Sequence, residues 1–212
     1  MRDFDAVIFD LDGVICSTDE YHYRAWKAMA DAAGIYFDRQ INNRLRGISR
    51  MASLDIILEQ TEHDFSQVEK EELADQKNEI YKKLLAQMSP ADLSDEVKDT
   101  MREIRNRGYR LAIGSSSKNT PFILQQLGLG NYFDAVSDGN NITHSKPDPE
   151  VFQKAAQMLL IPEERCLVVE DAVSGAEAAH RGGMKAACVG QASKEGAGDY
   201  NMTSFCDLLQ ML

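Results

Sequence analysis

Cysteine is scarce and scattered: the 212 residues carry four, Cys16, Cys166, Cys188 and Cys206, with no CxxC pair among them. Zinc clusters and thioredoxin-like redox chemistry therefore have no ligand spacing to rest on, and the four are expected as reduced, mostly buried thiols. No apolar run approaches the roughly 20 residues of a membrane span. The chain opens Met1-Arg2-Asp3-Phe4-Asp5, with acids where a secretory signal needs a basic and then an apolar stretch. A cytoplasmic chain without a membrane partner is the expectation. Basic residues are outnumbered, 23 against 34 acids, for a formal net charge of −11. Binding to a phosphate backbone needs a concentrated basic face, so nucleic acid is not expected as a partner. Small anionic substrates stay open, because surface charge is screened beyond about 8 Å at physiological salt and a pocket can be locally cationic.

What is present is a globular composition, 43% hydrophobic and 27% charged, in a chain long enough to bury a core without a disulfide or a structural metal. Asp5-Ala6-Val7-Ile8-Phe9-Asp10 is a short apolar run ending in an acid and reads as a buried strand running into a loop. From Thr18 to about Met88 the pattern is helical, with Tyr21, Trp26 and Met29 at roughly helical spacing and further stretches over 51–60 and 68–85. After Pro90 strands and helices alternate: a helix over 96–107 behind a Ser94 cap, a strand over 109–113, a helix over 119–127, a strand over 135–137, a helix over 149–159, a strand over 166–169, a helix over 174–181 and a strand over 185–189. Such alternation predicts an α/β fold, a Rossmann-like parallel sheet with helices on both faces. The helical region is then an inserted all-helical cap domain over 17–88, with 1–16 and 89–212 forming the core. The stretch after Ser193 carries no interpretable motif.

Open α/β sheets bind ligands outside the carboxyl ends of their strands, where Asp10, Ser115 and Glu170-Asp171 are all expected to fall. Four acids brought to one sheet edge repel unless a cation sits among them, and hard oxygen donors with room for water and a substrate phosphate suit magnesium. An aspartate in such a setting is either a passive ligand or a nucleophile. Ser115 and Lys146 favour the second role, since a hydroxyl and an ammonium there can hold the oxygens of a transferring phosphoryl group.

Asp10-Leu11-Asp12-Gly13, Ser115, Lys146-Pro147 and Glu170-Asp171, in this order and at these spacings, resemble the four motifs of the haloacid dehalogenase-like phosphotransferase superfamily. Further segments resemble its sugar phosphomutase branch: Glu20-Tyr21-His22, Arg24-Ala25-Trp26-Lys27, Arg46-Gly47-Ile48-Ser49-Arg50, Lys77-Asn78, Ser89-Pro90-Ala91-Asp92 and Ser117-Lys118-Asn119. The resemblance implies interconversion of β-D-glucose 1-phosphate and glucose 6-phosphate through β-glucose 1,6-bisphosphate, with one magnesium ion per chain. Asp10 would carry the phosphoryl group and Asp12 would be the general acid/base. Asp10, the main-chain carbonyl of Asp12, Glu170 and Asp171 would hold the metal. Ser115 and Lys146 would grip the transferring phosphoryl group, and Arg50 the other phosphate. Gly47, Ile48 and Ser49 would face the sugar, Ser117, Lys118 and Asn119 would line the core side, and His22 and Lys77 the cap side. Trp26 is open between packing and sugar stacking.

Two positions depart from the family's habit: Cys16-Ser17-Thr18 lacks the acid common before the threonine of the first hinge, and Ala172 stands where serine is frequent. Neither removes a catalytic atom. A sugar-phosphate phosphatase, a mutase for another β-sugar 1-phosphate and a non-catalytic phosphosugar-binding protein share the motif pattern to different degrees. The partners expected are small sugar phosphates, with the chain a monomer.

Overall fold

The computed structural model describes residues 2–45 and 48–212; Gly47 lies outside them. In chain order the elements are β1 (Ala6–Phe9), α1 (Asp19–Ala32), α2 (Arg39–Asn43), α3 (Arg50–Leu58), α4 (Gln67–Leu85), α5 (Asp95–Asn106), β2 (Arg110–Gly114), α6 (Thr120–Gln126) and β3 (Ala135–Ser137). There follow α7 (Glu150–Leu159), β4 (Cys166–Glu170), α8 (Val173–Arg181), β5 (Lys185–Cys188), α9 (Gly190–Lys194) and β6 (Tyr200–Asn201). The six strands form one parallel sheet in the order β3-β2-β1-β4-β5-β6. The order reverses beside β1, so the crevice of a doubly wound sheet opens at the ends of β1, β2 and β4. No helix among the described residues is long and apolar enough to cross a membrane.

Strand periodicity sorts the core. Successive side chains of a strand point to opposite faces, and a parallel sheet covered on both faces buries both sets. Val7 and Phe9 accordingly join Leu111, Ile113, Leu167 and Val169 on one face, under Met101 and Ile104 of α5. Ala6 and Ile8 join Ala112 and Val168 on the other, under Phe152 of α7 and Ala176 of α8.

Between β1 and α5 the described chain is helical and carries a core of its own, in which Trp26, Met29 and Ala30 of α1 meet Leu54 and Ile57 of α3 and Ala74 of α4. Burying an aliphatic side chain of the size of Leu54 or Ile57 contributes about 1.5–3 kcal/mol. The longest helix, α4, starts at a capping box: the Glu69 N–H donates to Ser66 Oγ (3.3 Å) and the Ser66 N–H to Glu69 Oε2 (2.8 Å). Besides the three-residue 3-10 turns Pro90–Asp92 and Glu163–Arg165, four elements among the described residues carried no readable signal. They are the five-residue α2, capped by Asp38, the five-residue α9, the two-residue edge strand β6, and a terminal 3-10 turn over Phe205–Gln210. Of the four thiols, Cys16, Cys166 and Cys188 are buried and Cys206 is exposed; all are free.

Candidate active site

Asp10 is the first residue past β1. Its N–H donates to Val169 O (2.9 Å), continuing the ladder with β4 for one more bond, and its side chain is buried at the sheet edge. Glu170 ends β4 and is 1% exposed. Its Oε2 accepts the N–H groups of Asp171 (2.8 Å) and Ala172 (2.9 Å), so the strand-to-helix turn fixes the carboxylate in place. Helix α8 passes directly over it: a Cβ on Gly175 would lie 1.9 Å from Glu170 Oε1, and only glycine allows that approach. Lys146, 4% exposed, donates from Nζ to Asp10 Oδ1 and to Glu170 Oε1, 2.5 Å each. Oxygens of Asp10, Glu170 and Asp171 all lie within 4.8 Å of one another.

Three carboxyl groups thus meet at a largely dehydrated edge where one ammonium pairs with two of them. Burial, with Glu170 and Asp171 adding to it, raises the Asp10 carboxyl well above the usual carboxylate range against the pull of Lys146. Against its own burial, Lys146 is held charged by Asp10 and Glu170. The edge carries more carboxyl groups than one ammonium can balance. The hard oxygen donors of Asp10, Glu170 and Asp171 suit a magnesium ion, and both Glu170 oxygens also accept hydrogen bonds.

Asp12 sits on the loop beyond β1, in an isolated bridge with Cys16. The Thr18 N–H donates to its Oδ1 (2.7 Å), and His22 Nε2 lies 3.8 Å from its Oδ2. Both partners stand at the start of α1, so the helical insertion itself orients this acid. Ser115, just past β2, is buried and accepts the Ser117 N–H (3.2 Å).

The walls above are supplied by the helices. Lys77 of α4 is 3% exposed; its Nζ lies 2.9 Å from His22 Nδ1 and over the rings of Tyr81 (4.3 Å) and Trp26 (4.8 Å). Burial first, then the charge of Arg50, push the Lys77 ammonium well below its usual range, and burial with Lys77 and Arg50 does the same to His22. Trp26 is 2% exposed, packs in the helical core and borders the cavity. Arg50, at the start of α3, is half-buried, 3.7 Å from Asp75. On the core side Lys118 is exposed, and Asn119 donates from Nδ2 to Asn78 Oδ1 of α4 (3.0 Å).

These groups border one cavity of about 910 Å³. The structure brings Asp10, Asp12, His22, Trp26, Ile48, Ser49, Arg50, Lys77, Ser115, Ser117, Lys118, Asn119, Lys146, Glu170 and Asp171 to its wall. It also brings there Asn42 and Ser53, which the motif reading passed over, and Asn78, which stands in a quoted segment without a role of its own. Asn42 and Ser53 are buried polar groups on otherwise apolar helix faces, a signal readable from the sequence once those faces are assigned. The acid-rich start of α4 is mostly solvated, yet Glu71 and Asp75 reach the cavity rim.

A family model described as haloacid dehalogenase-like hydrolase matches residues 4–183. The chain is 42% identical over 188 residues to a β-phosphoglucomutase of Bacillus subtilis (strain 168), across 88% of this chain and 83% of that one. It is 33% identical over 184 residues to a fructose-1-phosphate phosphatase of Escherichia coli (strain K12), across 86% and 95% of the two chains. Among solved structures, a β-phosphoglucomutase from Clostridium difficile matches with a TM-score of 0.90 at 34% identity, covering 97% of this chain and 93% of that one.

Proposed function

The chain belongs to the haloacid dehalogenase-like hydrolase family, and from that premise we propose that it works as a β-phosphoglucomutase, interconverting β-D-glucose 1-phosphate and glucose 6-phosphate through β-glucose 1,6-bisphosphate. The observation that carries the reading is the division of labour between two acids two residues apart. Asp10 is buried against Lys146, whereas Asp12 accepts the Thr18 N–H at the start of the helical insertion, with His22 3.8 Å away. One is placed to form a bond to phosphorus and the other to move a proton.

In the first half-reaction an Asp10 carboxylate oxygen attacks the phosphorus of the bisphosphate. The bond from phosphorus to the sugar oxygen breaks, and Asp12, in its carboxylic acid form, delivers its proton to that oxygen. In the second, a hydroxyl of β-glucose 1-phosphate attacks the aspartyl phosphate while the Asp12 carboxylate accepts its proton. Lys146 and Ser115 hold the transferring oxygens throughout. Asp10, the main-chain carbonyl of Asp12, Glu170 and Asp171 would hold magnesium, which when bound would supply positive charge for the phosphoryl oxygens. Arg50, with Ser117, Lys118 and Asn119, grips the phosphate that stays on the sugar, a task suited to the planar guanidinium fork. His22, Lys77, Ile48 and Ser49 face the sugar.

The bisphosphate must turn end for end between the two halves, which requires segment 17–88 to move as a cap on a core of 1–16 and 89–212. When closed, the cap excludes water and brings Asp12 into position through Thr18. A monomeric, cytoplasmic enzyme acting on sugar phosphates fits this chemistry. The likeness to a fructose-1-phosphate phosphatase supports a second reading, in which water replaces the sugar hydroxyl as acceptor.

A phosphorus NMR time course with β-glucose 1-phosphate, magnesium and a trace of the bisphosphate separates the two. Glucose 6-phosphate forming with little free phosphate is the expected result; stoichiometric free phosphate selects the phosphatase, and an unchanged spectrum overturns both.

A further inference from the structure

Asn119 occupies the N-cap position of α6, where an asparagine side chain ordinarily accepts a first-turn N–H. Here it makes no such bond. Its amide is turned away from its own helix, across the cavity, and donates from Nδ2 to Asn78 Oδ1 of α4 at 3.0 Å. The rest of the local geometry holds it there. The Asn119 N–H donates to Ser117 Oγ (3.2 Å), and the Thr120 hydroxyl donates to Ser117 O (2.9 Å), so the 117–120 turn is fixed by its own bonds and the amide alone is free to reach out. Asn119 is 9% exposed, so the bond to Asn78 forms away from bulk water, where a hydrogen bond is electrostatically stronger.

We infer that Asn78 is a positioning residue for the phosphate-binding turn: its Oδ1 orients the Asn119 amide so that the second N–H of Nδ2 faces the distal phosphate, and it makes that orientation conditional on a closed cap. This rests on the proposed reading in which Arg50 and the 117–119 turn hold the phosphate that is not transferred. The carboxamide of Asn119 has an accepting and a donating end, and a phosphate can use only the donating one. Without a fixed partner the amide flips between the two. Asn78 removes that freedom only while α4 lies against the core, so substrate grip and cap closure become one event. An interaction made equally in the bound ground state and in the transition state changes KM and leaves kcat nearly as it was, and the bond Asn78 makes is to Asn119, on the side of the phosphate that is not transferred.

The test compares wild type, Asn78→Ala and Asn78→Asp. The aspartate keeps an oxygen that accepts the Asn119 N–H. Asn78→Ala is expected to raise KM for β-glucose 1-phosphate at least tenfold with kcat within threefold and an unchanged Tm, and Asn78→Asp to recover most of the KM. Equal KM in wild type and Asn78→Ala, or a loss of kcat and Tm together, overturns the role. Binding of glucose 6-phosphate is read separately by the fluorescence of Trp26, the single tryptophan, which borders the cavity. If wild type shows no mutase turnover, the mutase reading fails while the fluorescence titration still decides the inference. A tenfold weaker affinity in Asn78→Ala, restored in Asn78→Asp, upholds it, and equal affinities refute it.

Discussion

Lys77 Nζ lies 2.9 Å from His22 Nδ1, packed against the rings of Trp26 and Tyr81. A nearly dehydrated amine with aromatic and imidazole neighbours is an arrangement that function, not stability, explains. Replacing a buried charged group by an apolar one of similar volume is often neutral or stabilising by about 1–4 kcal/mol.

Lys77→Met should therefore raise Tm at pH 7, by about 2–4 °C per kcal/mol in a chain of this size, while sugar-phosphate turnover falls about tenfold or more. The pH dependence has a definite sign. Burial depresses the folded-state pKa of Lys77, so between that value and the unfolded value of about 10.4 the unfolded chain binds more protons and wild-type stability rises with pH. The Tm gap between Lys77→Met and wild type should narrow from pH 7 to pH 10. A gap that widens, or a variant less stable than wild type at pH 7, contradicts this account.

Lys146→Met leaves the Asp10 and Glu170 carboxylates buried without their ammonium. Breaking a buried pair from one side costs about 3–5 kcal/mol, so calorimetry in EDTA should show a large fall in Tm. Magnesium should recover part of that loss and stabilise the variant by more than it stabilises wild type, because the cation then meets a fuller negative charge. Equal Tm for the two proteins in EDTA would exclude the charge balance described for this edge.

Gly13 has φ +87°, and a Cβ there would lie 2.2 Å from Asp171 Oδ2. Gly13→Ala must strain a left-handed residue, at about 1–3 kcal/mol, and push the Asp171 carboxylate aside. Magnesium titration of activity is expected to need at least tenfold more metal, with the helical content by circular dichroism unchanged. Wild-type metal dependence in this variant would remove Asp171 from the proposed ligand set.

The parallel sheet was legible because its strands are uniform: Ala6–Phe9 and Cys166–Glu170 are apolar runs buried on both faces and bounded by acids or turn residues. The candidate site was legible at Asp10, Ser115 and Glu170 because each stands at a strand end, and topology rather than detailed packing brings those ends together. Elements with too few residues to carry a period, such as α2 and β6, left no signal. Nor did interactions that cross between segments. That Glu170 has both oxygens engaged, one by Lys146 and the other by two backbone N–H groups, follows only from the three-dimensional turn. Likewise nothing in the local sequence of Asn119 distinguishes a helix cap from an amide aimed at Asn78.

Asp12→Asn should fold and keep the hinge bond, because an amide oxygen accepts the Thr18 N–H as the carboxylate does. It loses the proton that the leaving sugar oxygen requires. General acid/base groups contribute about 10²–10⁴ in rate, so a fall of that size in the NMR time course is expected, with magnesium and sugar phosphate still bound. Near-normal turnover would remove Asp12 from the role of acid/base.

Arg50 offers the sharpest separation of mutase from simple hydrolysis. Its guanidinium is half-buried at the start of α3, and burial lowers its pKa against the opposing charges of Asp75 and Glu79. A desolvated cation facing a cavity gains most from an anion arriving there, and a hydrogen bond to a charged group contributes about 1.5–3 kcal/mol. Arg50→Ala should thus slow turnover with β-glucose 1,6-bisphosphate about 10–100-fold. Hydrolysis of acetyl phosphate, which has a single phosphate to place at Asp10, should fall far less, because nothing in that substrate reaches α3. Parallel losses on the two substrates would mean that Arg50 supports the fold of the helical insertion and not the second phosphate; a selective loss on the bisphosphate fixes the orientation of the sugar, with its transferring end at Asp10 and its other phosphate under the cap.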